Sequence, residues 1–216
     1  MGKQQIFDFL RDLDKNNSKD WMDENRGRYQ AARKCWLEEI GLILDRLARH
    51  DAMFETIEPK DTVMRITNNR MFHPDKPVYR DNFACSPVKD MSRPAFCIHV
   101  SPNGSFIGGG LHRPEKQYLD RLRSAIDYDD ERLKAIIGAR EFQQLFGGFS
   151  PDDQMLKSYP RGYSKDHRHV DLLRRKNFTA LRPFTEEVFV SDQFATFAEE
   201  TFLALRPLNE YLEQAV

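Results

Sequence analysis

Three cysteines in 216 residues, at positions 35, 85 and 97, are too few and too irregularly spaced for a disulfide framework, so reduced thiols are expected. Cys85 and Cys97 fall on neighbouring expected strands, and pairing between them is the lesser reading. No apolar run approaches the roughly 20 residues that cross a bilayer. The opening MGKQQIFDFL lacks the apolar stretch of a secretory signal, and Ile6 stands where a myristoylation pattern needs Ser or Thr. Neither sign of charge dominates: 33 Lys and Arg face 34 Asp and Glu, for a net charge of -1. That balance argues against a dedicated nucleic-acid binder. Linkers, repeats and low-complexity tracts are also missing. These absences point to a single domain over residues 1–216, cytoplasmic and without a membrane partner. The oligomeric state stays open.

What is present reads as an α+β fold, with a central, mainly antiparallel sheet flanked by helices. Ile6, Phe9, Leu10 and Leu13 lie on one face of a helix over residues 4–13. After the turn cluster DKNNS, Ser18 is the expected N-cap of a long helix to about residue 50. Its apolar stripe runs through Trp21, Tyr29, Ala32, Trp36, Ile40, Ile43 and Leu47; Gly27 and Gly41 are its weak points, and since one continuous helix would be unusually long, a break is the open alternative. TVMRIT, FACSPV, AFCIHVS and SFIGGG then read as strands. SPNGS, between the last two, carries the Asn-Gly of a tight hairpin. Pro114 opens another helix as its first residue, followed by helices over 129–138 and 139–146. HVDLLRRK reads as a short helix and FTALRPF as one more strand. The phenylalanines and leucines from 194 to 212 make a C-terminal helix that Pro207 kinks or splits.

The segment RITNNRMFHPDKPVYRDNFACSP, residues 65–87, holds Arg65, Arg70, Lys76 and Arg80 close together. Like charges repel, so such a group makes sense around an anion. The plainer reading pairs them with Asp75 and Asp81 in a surface loop. Residues 157–176 carry seven cations (Lys157, Arg161, Lys165, Arg168, Arg174, Arg175, Lys176) against Asp166 and Asp171. An excess of five there, in a chain of net charge -1, shifts the balance toward a focused basic surface. His167 beside Asp166 has the residue types for acid–base work, although adjacent residues usually point apart. Gly108-Gly109-Gly110 reads equally as a phosphate-approaching turn and as close backbone packing at a strand end. His112 and Arg113 beside it favour a pocket rim. His167, His169 and His112 are conceivable metal ligands, but no metal-binding spacing is present, so no metal and no cofactor are expected.

Four stretches together resemble one family. They are FLRDLDKNNSKDWMDENRGRYQAAR, MRITNNRMFHPDKPVYRDNF, IGGGLHRPEKQYLDRLRSAI and LKSYPRGYSKDHRHVDLLRRKNF. In order and over nearly the whole chain they are similar to the bacterial and fungal family called domain of unknown function 2461. Arg65, Phe72, Asp75, Lys76, Tyr79 and Arg80 match its Arg-rich hallmark. Asn68, Asn69, Met71 and Val78 depart from it. The resemblance implies an α+β domain and a shared site, and no named reaction.

The expected function is binding of a small anion bearing phosphate or carboxylate, in a basic pocket walled by 65–82, 108–110 and 157–167. Its ligand-binding residues would be Arg65, Arg70, Lys76, Arg80, Gly109, Gly110, Lys157 and Arg161. If the protein is an enzyme, His167 or Tyr79 would move the proton and Asp75 or Asp166 would orient it. The rival is a non-catalytic module that binds a protein partner or nucleic acid through the same surface, with nucleic acid ranked behind by the charge balance. In a third reading the cations pair internally and steady loops.

Overall fold

The computed structural model describes residues 2–87 and 93–215. Val88, the last residue of the expected strand FACSPV, lies outside them. Four strands, β1 (Phe83–Cys85), β2 (Ala95–Val100), β3 (Ser105–Leu111) and β4 (Phe178–Phe184), form an antiparallel sheet in the order β1-β2-β3-β4. With ten helices among the described residues, the class is α+β. Chain contacts divide the protein into two compact units. The first is Met1–Pro87, Cys97–Ile107 and Pro183–Glu200; the second is Val88–Phe96, Gly108–Arg182 and Thr201–Val216.

In the first unit, α1 (Gln4–Lys15) buries Ile6, Phe7, Phe9, Leu10 and Leu13 and packs on the long α3 (Arg26–Leu47). The long helix expected from Ser18 is broken, the alternative that its length left open. Ser18 caps α2 (Lys19–Glu24), its hydroxyl accepting from the Trp21 N–H at 3.2 Å. Asn25 ends α2, and both its N–H and its side-chain amide donate to the Trp21 carbonyl at 2.9 Å. Breaking there turns α3 so that Ala32, Trp36, Ile40, Ile43 and Leu47 are buried. Glu39 is buried among them and pairs with Lys3 at 3.3 Å. The Lys3 ammonium also sits over the rings of Phe189 and Phe194.

TVMRIT is not a strand. A short helix, α4 (Pro59–Thr62), takes its beginning, and the rest makes two isolated bridges, Val63 to Cys85 and Thr67 to Tyr79. The register shifts by two residues between those bridges, because the returning side carries two extra residues. A bulged ladder of this kind re-aims side chains. Beyond it, residues 69–77 form a fully exposed tip. β1 pairs with β2 in register, Ala84 opposite His99. The expected hairpin after β2 closes at Gly104, whose φ of +140° suits glycine and whose N–H donates to the Ser101 carbonyl.

In the second unit, α5 (Lys116–Tyr128), α6 (Asp130–Gly138) and α7 (Arg140–Phe146) follow one another, and α8 (Val170–Arg174) packs on α5. Pro114 precedes α5 rather than opening it, since Glu115 is the cap residue. α10 (Phe194–Ala215) continues through Pro207 without a break. All three cysteines are free thiols, and burial pushes the Cys85 thiol far up, which leaves it unreactive.

Candidate functional site

Within the first unit, one cleft of about 480 Å³ is lined by Met22, Arg26, Tyr29, Arg33, Lys60, Val63, Met64, Arg65, Ile66, Thr67 and Tyr79. Four of these are cations and none is a carboxylate. The helix supplies the first group: Arg26, Tyr29 and Arg33 are three and four residues apart, so they share one face of α3. Lys60 comes from α4. Five consecutive residues from Val63 to Thr67 supply the opposite wall. A regular strand would turn alternate residues away; the bulged ladder lays its edge along the cleft instead.

The hydrogen-bonding of that ladder fixes which way its amides point. Met64 N–H donates to Ala84 O (2.9 Å), Arg80 N–H to Ile66 O (2.7 Å) and Asn68 N–H to Val78 O (3.0 Å). In an antiparallel ladder the intervening amides then face the other way. The Arg65 and Thr67 N–H groups therefore lie on the free edge and have no backbone acceptor among the described residues.

The cations differ in how far they are committed. Arg26 donates to Asp23 at 2.6 Å, and that hydrogen bond raises the arginine's pKa. The side chains of Arg33, Lys60 and Arg65 have no hydrogen-bond or ion-pair partner among the described residues. Tyr79 is held from behind: its N–H donates to the Asn17 side-chain oxygen at 2.8 Å, and its carbonyl accepts from the Asn17 amide at 3.0 Å. The ring of Tyr29 is supported by Phe9 and Phe83, at 5.8 and 6.2 Å between centroids.

Two residues expected at a site, Arg65 and Tyr79, line this cleft. Arg70, Asp75 and Lys76 lie on the exposed tip, outside the lining. Arg70 donates to the Pro74 carbonyl, and the Arg80 guanidinium faces the Met64 sulfur at 3.8 Å. Arg26, Arg33 and Lys60 escaped the sequence reading. The first two could have been found, since they flank Tyr29 at helical spacing. Lys60 had no such signal.

The remaining expected residues belong to the second unit. Gly109 and Gly110 are buried inside β3 rather than on a strand-to-helix turn. A Cβ on Gly110, where φ is +108°, would collide with the Phe178 carbonyl oxygen. One on Gly109 would come within 2.8 Å of the Ala95 oxygen. Close packing accounts for both. Lys157, Arg161 and Asp166 are exposed.

His167 is oriented by Asp127 of α5, at 2.8 Å from its Nε2, and not by its neighbour Asp166. Its Nδ1 accepts the His169 N–H at 3.1 Å, which matches the tautomer whose Nε2–H faces Asp127. Next to it, Asp130 is buried with its oxygens 2.8 Å from Lys134, Arg168 and His169. The hydrogen bond from Lys134, then the charges of Arg168 and His169, hold its carboxyl below the usual range. Burial pushes His169 down against the opposing charge of Asp130, and the Lys134 and Arg168 charges act in the same direction as burial. Arg174 and Arg175 are spent on carbonyl oxygens of Leu156, Asn177 and Ser150. Much of this second cluster thus fastens loops. Among the described residues, no three His, Cys, Asp or Glu side chains gather as metal ligands, and no helix is long and apolar enough to cross a membrane.

The family profile described as "Conserved hypothetical protein (DUF2461)" matches residues 5–211. No curated protein and no solved structure matches the chain.

Proposed function

Starting from a chain that belongs to the conserved hypothetical protein family DUF2461, we propose that the cleft of its first unit binds a small anionic molecule bearing phosphate or carboxylate. One observation carries this reading. Among the described residues, Arg26, Arg33, Lys60 and Arg65 line a single opening with no carboxylate in its wall, in a protein of net charge -1. Arg26 shares Asp23, and the other three, without a partner among the described residues, repel one another unless an anion sits among them. The cleft volume falls in the range of small-molecule sites, about 300–1,000 Å³. Of the two tyrosines in the lining, Tyr79 is the one whose backbone Asn17 holds in place, and a reaction, if the ligand undergoes one, would run through its hydroxyl. Free thiols on all three cysteines suit a reducing, cytoplasmic setting.

The test is a thermal-shift screen with inorganic phosphate, sugar phosphates, nucleotides and di- and tricarboxylates, because a ligand of the native state raises Tm. The expected result is a concentration-dependent rise that an Arg33→Ala, Arg65→Ala double variant loses. A screen in which every anion moves wild type and variant equally sinks the reading.

A further inference from the structure

We infer that the ligand of this cleft is a phosphate monoester carried on an apolar or aromatic body, a class that includes nucleoside monophosphates. The inference rests on the anion-site reading above and goes beyond it on three observations.

The first is the amount of charge. Arg26 already shares Asp23. Arg33, Lys60 and Arg65 remain around the opening without a partner among the described residues. A monocarboxylate would answer one of these three charges. A phosphate monoester brings roughly two charges at pH 7 and three acceptor oxygens. The second is donor geometry. Two guanidinium forks, one ammonium and the free-edge N–H groups of Arg65 and Thr67 can surround a tetrahedral group from several sides. The third is the rest of the lining. Met64 is exposed and Val63 and Tyr29 are half-buried, so they present apolar or aromatic surface there, with Met22, Ile66 and Tyr79 buried behind them. Inorganic phosphate would leave the surface of Met64, Val63 and Tyr29 wet, whereas a ligand with an apolar body covers it.

The pH response separates this class from carboxylates. The side chains facing the ligand are Arg26, Arg33, Lys60, Arg65, Tyr29 and Tyr79, with Asp23 behind Arg26. Among the described residues, no histidine lines the cleft. Between pH 7.5 and 5.5 the charge that changes is therefore the ligand's own, as the monoester takes up its second proton near pH ~6.

Calorimetric titration of the full chain with phenyl phosphate, benzoate, adenosine 5′-monophosphate, adenosine and inorganic phosphate tests it. Phenyl phosphate and the nucleotide are expected to bind about tenfold or more tightly than benzoate and inorganic phosphate at pH 7.5, with no binding of adenosine. Phenyl phosphate should weaken about fourfold at pH 5.5, while benzoate stays level. Arg65→Ala and the milder Arg65→Lys should each weaken phenyl phosphate, the first by about tenfold, with circular dichroism unchanged. Benzoate binding as well as phenyl phosphate, or inorganic phosphate matching both esters, overturns the inference and leaves an anion site standing. Absence of binding by every anion removes the anion site as well.

Discussion

The side-chain amide of Asn17 holds the Tyr79 backbone by both its N–H and its carbonyl, across a gap of 62 residues in sequence. That double contact fixes where the returning side of the bulged ladder crosses the end of α1, and so where Tyr79 stands in the cleft. Asn17→Ala leaves a backbone donor and acceptor unanswered. We expect a loss of about 2 kcal/mol, measured by urea unfolding, together with weaker anion binding. Gly110 is a second position where one residue type is required. Its φ of +108° disfavours any side chain, and the Phe178 backbone occupies the space a Cβ would take. Gly110→Ala should cost about 3 kcal/mol or more. A variant as stable as wild type would show that the contact between β3 and β4 relaxes easily. At Gly27 the situation is reversed: φ is not positive, and a Cβ would meet nothing within 4 Å. Gly27→Ala should raise stability by about 0.5 kcal/mol, chiefly by restricting the unfolded chain.

At the level of elements, what could be read from the sequence was what is written locally. The period of α1, the Ser18 cap, the Asn-Gly turn after β2 and the stripe of α10 each depend on residues a few positions apart. The break at Asn25 was signalled only by Gly27 and by the length of the stripe, and its position was not legible because the asparagine acts through hydrogen bonds to the turn before it. TVMRIT has strand composition, yet its pairing partner carries two extra residues, and a register shift depends on the far side of the ladder. The cleft inherits the same difficulty. Arg65 and Tyr79 stood out in a cation-rich segment, whereas Lys60 joins them only through the fold. For α3 the face bearing Arg26, Tyr29 and Arg33 was legible, but Tyr29 was assigned to an apolar stripe and the arginines beside it were not singled out.

For the molecule as a whole, charge bears on stability through groups whose protonation differs between folded and unfolded chains. Burial lowers His99 and His169. Below the ordinary histidine range, about 6.5, the unfolded chain therefore binds protons that the folded chain refuses, and stability falls as pH drops through that window. Asp130, lowered by the Lys134 hydrogen bond, and Glu199, lowered by the His50 hydrogen bond, add stability that is present above the ordinary carboxylate range. That contribution is lost as pH falls further. Glu39 opposes them, since burial raises its pKa and it welcomes a proton in the folded state. Glu39 therefore works against the decline that the two histidines produce. The expected outcome is a Tm that declines from pH 7.5 to 5.5 and declines more steeply below pH 4.5. His99→Gln, which removes one titrating ring from the half-buried position stacked on Phe106, should flatten the first part of that decline whatever it does to Tm at pH 7.5. A Tm that rises between pH 7.5 and 5.5, or a slope identical in the variant, would show that the buried histidines are not what couples folding to acid.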